Sequence, residues 1–206
     1  MTKKQFLTLV GRIAPHLPEA KIKFPMIIFP PAREVLRGLY FERSGSDSRR
    51  FYLWAFFMPM CVPSQQVSFN LGRRLGDADQ RWDLDDPDLD EKMLFAIRAE
   101  GLPFLEKVRT PVAAARFAKA TAETAKSPYV LQASAYMYAR AGEATEAIRS
   151  LVDLLQVLEL QVSWQAEIAS RAQKLKALLN ESPKEAEMQL RAWEDETARN
   201  LGLREL

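Results

Sequence analysis

The sequence is poor in the residues that mark disulfide frameworks, metal sites and the commonest catalytic centres. Its 206 residues include one cysteine, Cys61, and one histidine, His16. A lone cysteine excludes an internal disulfide and fits a reducing compartment. The sequence also lacks zinc-ligand spacings, a serine nucleophile elbow, a phosphate loop and the glycine pattern of dinucleotide-binding proteins. These absences favour a non-catalytic protein with no metal and no cofactor.

Long hydrophobic runs are missing as well. The longest, from Phe51 to Val62, has about 12 residues and is interrupted by Pro59, whereas a membrane-spanning helix needs about 20. At the N-terminus, Arg12 and Pro15 interrupt the chain before the apolar core of a signal peptide develops. We therefore expect a cytoplasmic protein that does not enter the membrane.

Charge is distributed unevenly along the chain, although the net charge is only +2. Residues 1–75 carry a net charge of +8, residues 76–91 carry −7, and residues 92–206 carry +1. Repulsion among the acidic residues, together with Pro87, is typical of a solvated connector. The charge pattern predicts a basic unit at 1–75, an acidic linker at 76–91 and a second unit at 92–206.

The basic unit has the pattern of one helix followed by a sheet. Apolar residues three or four apart predict an amphipathic helix over Lys3–Leu17. Strands are predicted at Val35–Arg43 and Arg50–Met60, joined by a turn at Ser44–Ser48. The second strand is apolar on both faces and should be central. Alternation of apolar and polar residues over Val67–Gly72 predicts a third strand, which gives a three-stranded antiparallel sheet.

The unit at 92–206 is predicted to be helical. Three pairs place an N-cap hydroxyl before a proline and so mark helix starts: Thr110-Pro111, Ser127-Pro128 and Ser182-Pro183. A further helix is predicted from Leu89 to Glu100, ending at Gly101. The spacing across 145–181 fits one long helix or two. The expected fold class is therefore α+β, with five or six helices after the sheet.

A helical hairpin is indicated near 131–158. The residues that carry this pattern are Ala135, Tyr138, Gly142, Glu146, Ala147, Ile148, Leu151 and Leu154. They resemble a single tetratricopeptide repeat, in which small residues let two helices pack closely. The chain departs from that pattern at Leu131, where the repeat has tryptophan, and at Glu159, where it has proline. One repeat does not form the concave groove of tandem arrays, so peptide binding does not follow from the resemblance.

The sheet region carries a second resemblance. It spans residues 36–43, 51–54, 63 and 69–75. These segments look like the sheet of a family of uncharacterised bacterial α+β domains that occur as small standalone proteins. In size and layout the chain is similar to toxin-immunity proteins, which implies a toxin as partner. The likeness is one of layout and implies no functional residues.

Basic and aromatic residues are interleaved in the predicted sheet. We take as candidate partner-binding residues Arg37, Tyr40, Arg43, Arg49, Arg50, Tyr52, Arg73 and Arg74. Arginine and aromatic side chains dominate protein-binding hot spots, which favours occlusion of a partner protein by a rigid surface. The same residue types hold single-stranded nucleic acid by charge and stacking, so a nucleic-acid-binding module is the alternative. A third interpretation is that Arg73 and Arg74 pair with the acidic residues that follow them.

Two further groups, a lone thiol and a run of aspartates, could in principle carry chemistry. Cys61 is expected to be a buried structural thiol, since free cysteine is among the most buried residue types. The aspartates of the acidic segment do not fit a calcium-binding EF-hand loop. Such a loop needs glycine at its sixth position and glutamate at its twelfth, and counting from Asp77 gives Trp82 and Asp88. No metal site is predicted.

Overall fold

The computed structural model describes residues 1–17, 19–45, 47–77, 80–125 and 127–204. The first element is helix α1, Lys3–Ile13, which continues as one 3₁₀ turn over Ala14–His16. The Thr2 hydroxyl caps α1 by accepting a hydrogen bond from the Gln5 backbone N–H. The helix predicted over Lys3–Leu17 is therefore confirmed, with its last turn in 3₁₀ form.

One antiparallel sheet follows, and it is larger than the predicted three strands. Its members are β1 (Lys21–Lys23), β2 (Met26–Ile28), β3 (Val35–Arg43), β4 (Arg50–Pro59), β5 (Gly72–Arg74) and β6 (Trp82–Asp83). The strand order is β1-β2-β3-β4-β5, and β6 also pairs with β4. The two long predicted strands, β3 and β4, are confirmed and pair with each other along nine residues. Ser46 of the predicted turn between them lies outside the described residues.

The third predicted strand is shorter than expected and lies nearer the C-terminus. Residues 67–71 form a loop, and β5 pairs with β4 from Gly72, the last residue of the predicted pattern. The Leu71 carbonyl oxygen also accepts a hydrogen bond from the Phe57 N–H of β4, at 3.2 Å. Val67 and Phe69 pack from the loop onto one face of the sheet. The alternation at 67–71 therefore reflects a loop whose apolar side chains cover the sheet without a full ladder of backbone hydrogen bonds.

The two faces of the sheet are buried to different depths. Phe51, Leu53, Ala55 and Phe57 of β4 face the main hydrophobic core, which the helices complete. Phe56 and Met58 point to the opposite face, where a smaller cluster includes Leu203 near the C-terminus. This confirms that β4 is central and covered on both sides over much of its length. Nearer the start of β4, the second face is only half-buried.

The helical layer consists of α2 (Leu89–Ala96), α3 (Leu102–Lys107), α4 (Pro111–Ala125), α5 (Pro128–Arg140), α6 (Ala144–Val157), α7 (Ser163–Glu181) and α8 (Pro183–Asn200). Proline stands at the first position of α4, α5 and α8, as the Thr-Pro and Ser-Pro pairs predict. The predicted hydroxyl caps are confirmed only in part: Thr110 accepts a hydrogen bond from the Ala113 N–H, whereas Ser127 and Ser182 form no cap hydrogen bond. The region 145–181 forms two helices. The α5–α6 hairpin turns at Gly142, where φ is +79°, a conformation that favours glycine.

Gly101 does not end a helix, contrary to the prediction. A π-helical turn over Ile97–Gly101 carries α2 directly into α3. A Cβ atom at Gly101 would lie 2.9 Å from Leu75 Cδ1. Glycine therefore allows this helix to approach the sheet region closely.

Part of the acidic segment pairs with the sheet. Its residues 82–83 form β6, and Trp82 is buried in the main core. That core also joins residues on both sides of the segment, such as Phe57 of β4 and Phe104 of α3. Residues 78 and 79 of the segment lie outside the described part of the chain. The division at 76–91 stays a prediction.

Candidate functional site

A compact group of aromatic and charged side chains lies on the half-buried part of the second sheet face. Alternation along the strands places Glu42 of β3 and Tyr52 and Trp54 of β4 on this face. The register sets Tyr52 opposite Glu42, and it sets Trp54 between Tyr40 and Arg74 of β5. We call Glu42, Tyr52, Trp54 and Arg74 the Trp54 patch.

Contacts within the Trp54 patch hold its side chains in place. The Arg74 guanidinium carbon lies 4.0 Å from the centre of the Tyr52 ring and 4.9 Å from that of Trp54, within cation–π range. The Trp54 indole N–H donates a 2.8 Å hydrogen bond to Glu42 Oε2. An Arg74 nitrogen lies 3.9 Å from the same oxygen. Two aromatic rings, one cation and one carboxylate are therefore fixed together on a partly exposed surface.

Two other residues adjoin the patch in different ways. Arg81 is exposed, and its guanidinium lies 6.0 Å from the Tyr52 ring. Tyr40 stacks on Phe69, with ring centres 4.1 Å apart. Burial, followed by the charge of Glu42, raises the pKa of Tyr40. Arg81 thus adds a second cation at the edge of the patch, whereas Tyr40 belongs to the wall that packs against the loop.

Arg37 and Arg73 lie on the opposite, core-facing side of the sheet. Arg37 is buried and donates hydrogen bonds to the carbonyl oxygens of Leu105, at 3.2 Å, and Pro30, at 3.3 Å. Its burial lowers its pKa. Arg73 forms a 2.6 Å ion pair with Glu100. Both side chains therefore join the sheet to the helical layer, and the structure does not bring them to the Trp54 patch.

Arg49 and Arg50, at the start of β4, contact the acidic segment. Arg49 pairs with Asp85 at 2.9 Å, and Arg50 pairs with Asp83 at 3.1 Å. The pKa of Asp83 is lowered, first by a hydrogen bond from the Asp85 backbone and then by Arg50. The acidic segment thus neutralises part of the basic unit by folding onto it.

The remaining candidate, Arg43, is exposed at the end of β3. Arg73 and Arg74 do not pair with the acidic segment within the described residues, because Arg73 pairs with Glu100 and Arg74 with Glu42. Of the eight predicted residues, the structure therefore unites Tyr52 and Arg74 in one patch.

Two members of the patch, Trp54 and Glu42, are not among the eight residues predicted from the sequence. The apolar pattern on both faces of β4 favours a core position for Trp54. The signal that identifies it is position: Glu42, Tyr52 and Trp54 all fall on one face when alternation is followed across the β3–β4 turn. The smaller hydrophobic cluster on this face covers Phe56 and Met58 but leaves Tyr52 and Trp54 half-buried.

An arginine-rich cleft of about 1020 Å³ lies elsewhere, between the chain before β3 and the ends of α5 and α8. At its floor Arg140 makes 2.7 Å ion pairs with both Glu34 and Glu194. Burial raises the pKa of Glu194, and the contact with Arg140 opposes this effect. Because one arginine satisfies two carboxylates here, Arg140 connects α5, α8 and the segment that precedes β3.

Residues with catalytic or metal-binding chemistry are dispersed. Cys61 is buried, and this burial raises the pKa of its thiol, as expected of a structural cysteine. His16 is exposed at the end of the 3₁₀ turn. Within the described ranges, no three histidine, cysteine, aspartate or glutamate side chains lie close enough to hold a metal ion.

Comparison with known proteins gives no relative from which a function can be transferred. No protein-family model, no curated protein and no solved structure matches this chain. None of the helices in the described part of the chain combines the length and the apolar character needed to cross a membrane. Any function must therefore be argued from the surfaces of the molecule itself.

Proposed function

We propose that this chain is a non-catalytic protein-binding protein and that it contacts its partner through the Trp54 patch. The observation that supports this is the position of Arg74, which lies over both Tyr52 and Trp54 while Glu42 accepts the indole N–H. Tryptophan, tyrosine and arginine are the residue types most enriched in binding hot spots. Because these side chains already hold each other in place, binding orders fewer rotamers.

The patch also has a rigid base. Glu42, Tyr52 and Trp54 stand on β3 and β4, which pair over nine residues, and the other face of these strands packs on the main core. A surface of this kind presents one shape to its partner. Rigidity suits occlusion, in which the patch covers a functional site of the partner protein.

Charge indicates the chemistry of the partner. Arg81 is exposed at the edge of the patch, Arg74 is partly exposed within it, and Glu42 is the one carboxylate among its four members. A complementary partner surface therefore offers carboxylates to the two arginines and an apolar contact to Trp54 and Tyr52. In the most specific form of the proposal the partner is a bacterial toxin and this chain is its immunity factor.

Nucleic-acid binding remains the second hypothesis, and the patch geometry gives it less support. A base that stacks on Tyr52 or Trp54 must first displace Arg74 from the ring faces. The Glu42 carboxylate lies beside the same rings and repels phosphate. Arg49 and Arg50, which would extend a basic track, already pair with Asp85 and Asp83.

Affinity purification from the native host tests the proposal with matched charge variants. We expect Arg74→Glu to lose the partner that the wild-type chain retains, because it removes the cation from both rings and repels Glu42. Arg98→Glu is the control. Arg98 is exposed in the π-helical turn of the helical layer, so this substitution makes the same change of charge away from the patch. Arg74→Lys keeps the charge but not the planar group, and intermediate recovery is expected.

The result that contradicts the proposal is equal loss or equal retention in Arg74→Glu and Arg98→Glu. Equal loss would show an effect of net charge alone, and equal retention would place the contact elsewhere. Circular dichroism of each variant confirms that the fold is unchanged. For the toxin version, co-expression of the captured partner should arrest growth, and wild-type chain, but not Arg74→Glu, should restore it.

A further inference from the structure

A second cleft, of about 560 Å³, lies between the loop at 62–71 and the N-terminal ends of α5 and α7. Its volume is within the range of about 300–1,000 Å³ that is typical of small-molecule sites. It shares no residue with the Trp54 patch, so its function is independent of the proposed protein binding. We call it the Trp164 cleft and describe it by the side chains that give it chemical character.

Two stacked aromatic rings form one wall of the Trp164 cleft. Tyr129 of α5 and Trp164 of α7 lie face to face, with ring centres 4.8 Å apart and planes inclined by 8°. Tyr129 is 46% exposed and Trp164 is 38% exposed. Each ring uses one face for this contact. The parallel stack therefore offers a flat apolar surface on which a further planar ring can lie.

Gln132, one turn after Tyr129 on α5, also lines the cleft. The residue is only 2% exposed, and its side-chain nitrogen makes no hydrogen bond of good geometry among the described residues. The Tyr136 hydroxyl lies close enough to interact with this amide. An amide nitrogen carries two N–H donors, however, so at least one of them is left without an acceptor. A buried amide N–H without an acceptor weakens the folded state, so such groups are rare in native proteins. An acceptor oxygen on a bound molecule would satisfy this donor.

The electrostatic field at the mouth of the cleft also favours an acceptor oxygen. Tyr129 and Trp164 are the second residues of α5 and α7, and neither helix has a side-chain N-cap. Helix N-termini carry partial positive charge and exposed N–H groups. Arg171 lines the same cleft and pairs only loosely with Glu167, at 3.6 Å. The stacked rings, the unpaired amide and these positive groups occur together.

We infer that the Trp164 cleft binds a small planar aromatic molecule that carries a carbonyl oxygen, as an aromatic carboxamide or carboxylate does. The ring stacks on the Tyr129–Trp164 pair, and the carbonyl oxygen accepts a hydrogen bond from Gln132. Four tryptophans occur in the chain, so the indole N–H resonances of a ¹⁵N-labelled sample can follow Trp164 separately once Trp164→Phe has assigned its signal.

The experiment titrates the full chain with benzamide, benzoate and cyclohexanecarboxylate. Benzamide and benzoate are expected to shift the Trp164 indole resonance, whereas cyclohexanecarboxylate, which has the acceptor but no planar ring, is not. Gln132→Met removes the unpaired amide at similar length. It should unfold at the same temperature as wild type or higher, and it should bind benzamide at least about fivefold more weakly. Phe95→Ala, which removes a ring that is 74% exposed elsewhere, should bind as wild type does.

Three results would overturn the inference. One is the absence of any shift of the Trp164 resonance at about 10 mM benzamide or benzoate, a concentration that detects millimolar affinity. Another is an equal response to cyclohexanecarboxylate, which would show apolar contact without recognition of a planar ring. The third is a folded Gln132→Met variant that binds benzamide as tightly as wild type.

Discussion

Arg140→Met is expected to destabilise the protein more than any surface change in the same helix. Arg140 is 15% exposed and Glu194 is 11% exposed, and their side chains meet at 2.7 Å. Removing one partner of a buried pair leaves the other charge without compensation, which costs about 3–5 kcal/mol. Since both side chains keep some contact with solvent, we expect about 3 kcal/mol in the free energy of unfolding at pH 7.

The pH dependence of this loss separates a charge effect from a packing effect. The pKa of Glu194 is raised in the folded state, first by burial, so its contribution to stability is present below its unfolded pKa and is lost as pH rises through the folded value. Without Arg140 the folded pKa rises further. The loss caused by Arg140→Met should therefore be smaller at pH 4 than at pH 7, by at least about 1 kcal/mol.

Urea unfolding of the wild type and the variant at both pH values measures these quantities. The double variant Arg140→Met with Glu194→Gln should recover about half of the loss at pH 7, because no buried charge is left unpaired. A loss of less than about 1 kcal/mol at pH 7, or the same loss at both pH values, would refute this account of the Arg140 connection.

Three further perturbations have defined outcomes. Gly38→Ala places a Cβ atom 2.7 Å from the Ile27 carbonyl oxygen and should lower the free energy of unfolding by about 2–3 kcal/mol. Gly11 is an exposed position of α1 with nothing within 4 Å of an added Cβ, so Gly11→Ala should raise the free energy of unfolding by about 0.5–1 kcal/mol. Denaturant titration of both variants checks these opposite signs. The pKa of Asp83 is lowered in the folded state, so its ionised form stabilises the fold above the unfolded pKa of 3.8, and this stabilisation is lost as pH falls through the folded pKa. Thermal unfolding should therefore show Asp83→Asn to be less stable than wild type at pH 6, and the difference should disappear in strong acid. Cys61 is buried with a raised thiol pKa, so a thiol reagent should react with it only after denaturant is added, and rapid reaction in native buffer would contradict its placement.

Local signals predicted the parts of the fold that depend on a few adjacent residues. The Thr-Pro and Ser-Pro pairs located three helix starts, since the fixed proline φ acts within one turn. The apolar pattern of β4 correctly made it central. In contrast, Gly101 was misread as a helix end, because its small size serves packing against Leu75, and a contact with a distant residue leaves no local signal.

The candidate site was harder to predict for the same reason. Arg37 and Arg74 both lie on strands that pair with the aromatic-rich β4, yet Arg37 is buried against Leu105 and Arg74 is held on the half-buried face. Their difference depends on which strand face the helices cover. The Tyr129–Trp164 stack joins residues 35 positions apart on two helices, so the sequence near either ring does not indicate the contact. Both the arginine positions and this stack depend on how the helices pack in the folded chain.

The measurement that tests the central claim most directly is nuclease-treated affinity purification of wild-type chain and Arg74→Glu, washed at low and high salt. The account predicts that one protein stays bound to the wild type through both washes and is missing from Arg74→Glu. Apolar contact with Trp54 and Tyr52 is little screened by salt, whereas phosphate contacts weaken steeply. Recovery that disappears with nuclease or salt, or that is the same for both chains, would contradict protein binding through the Trp54 patch.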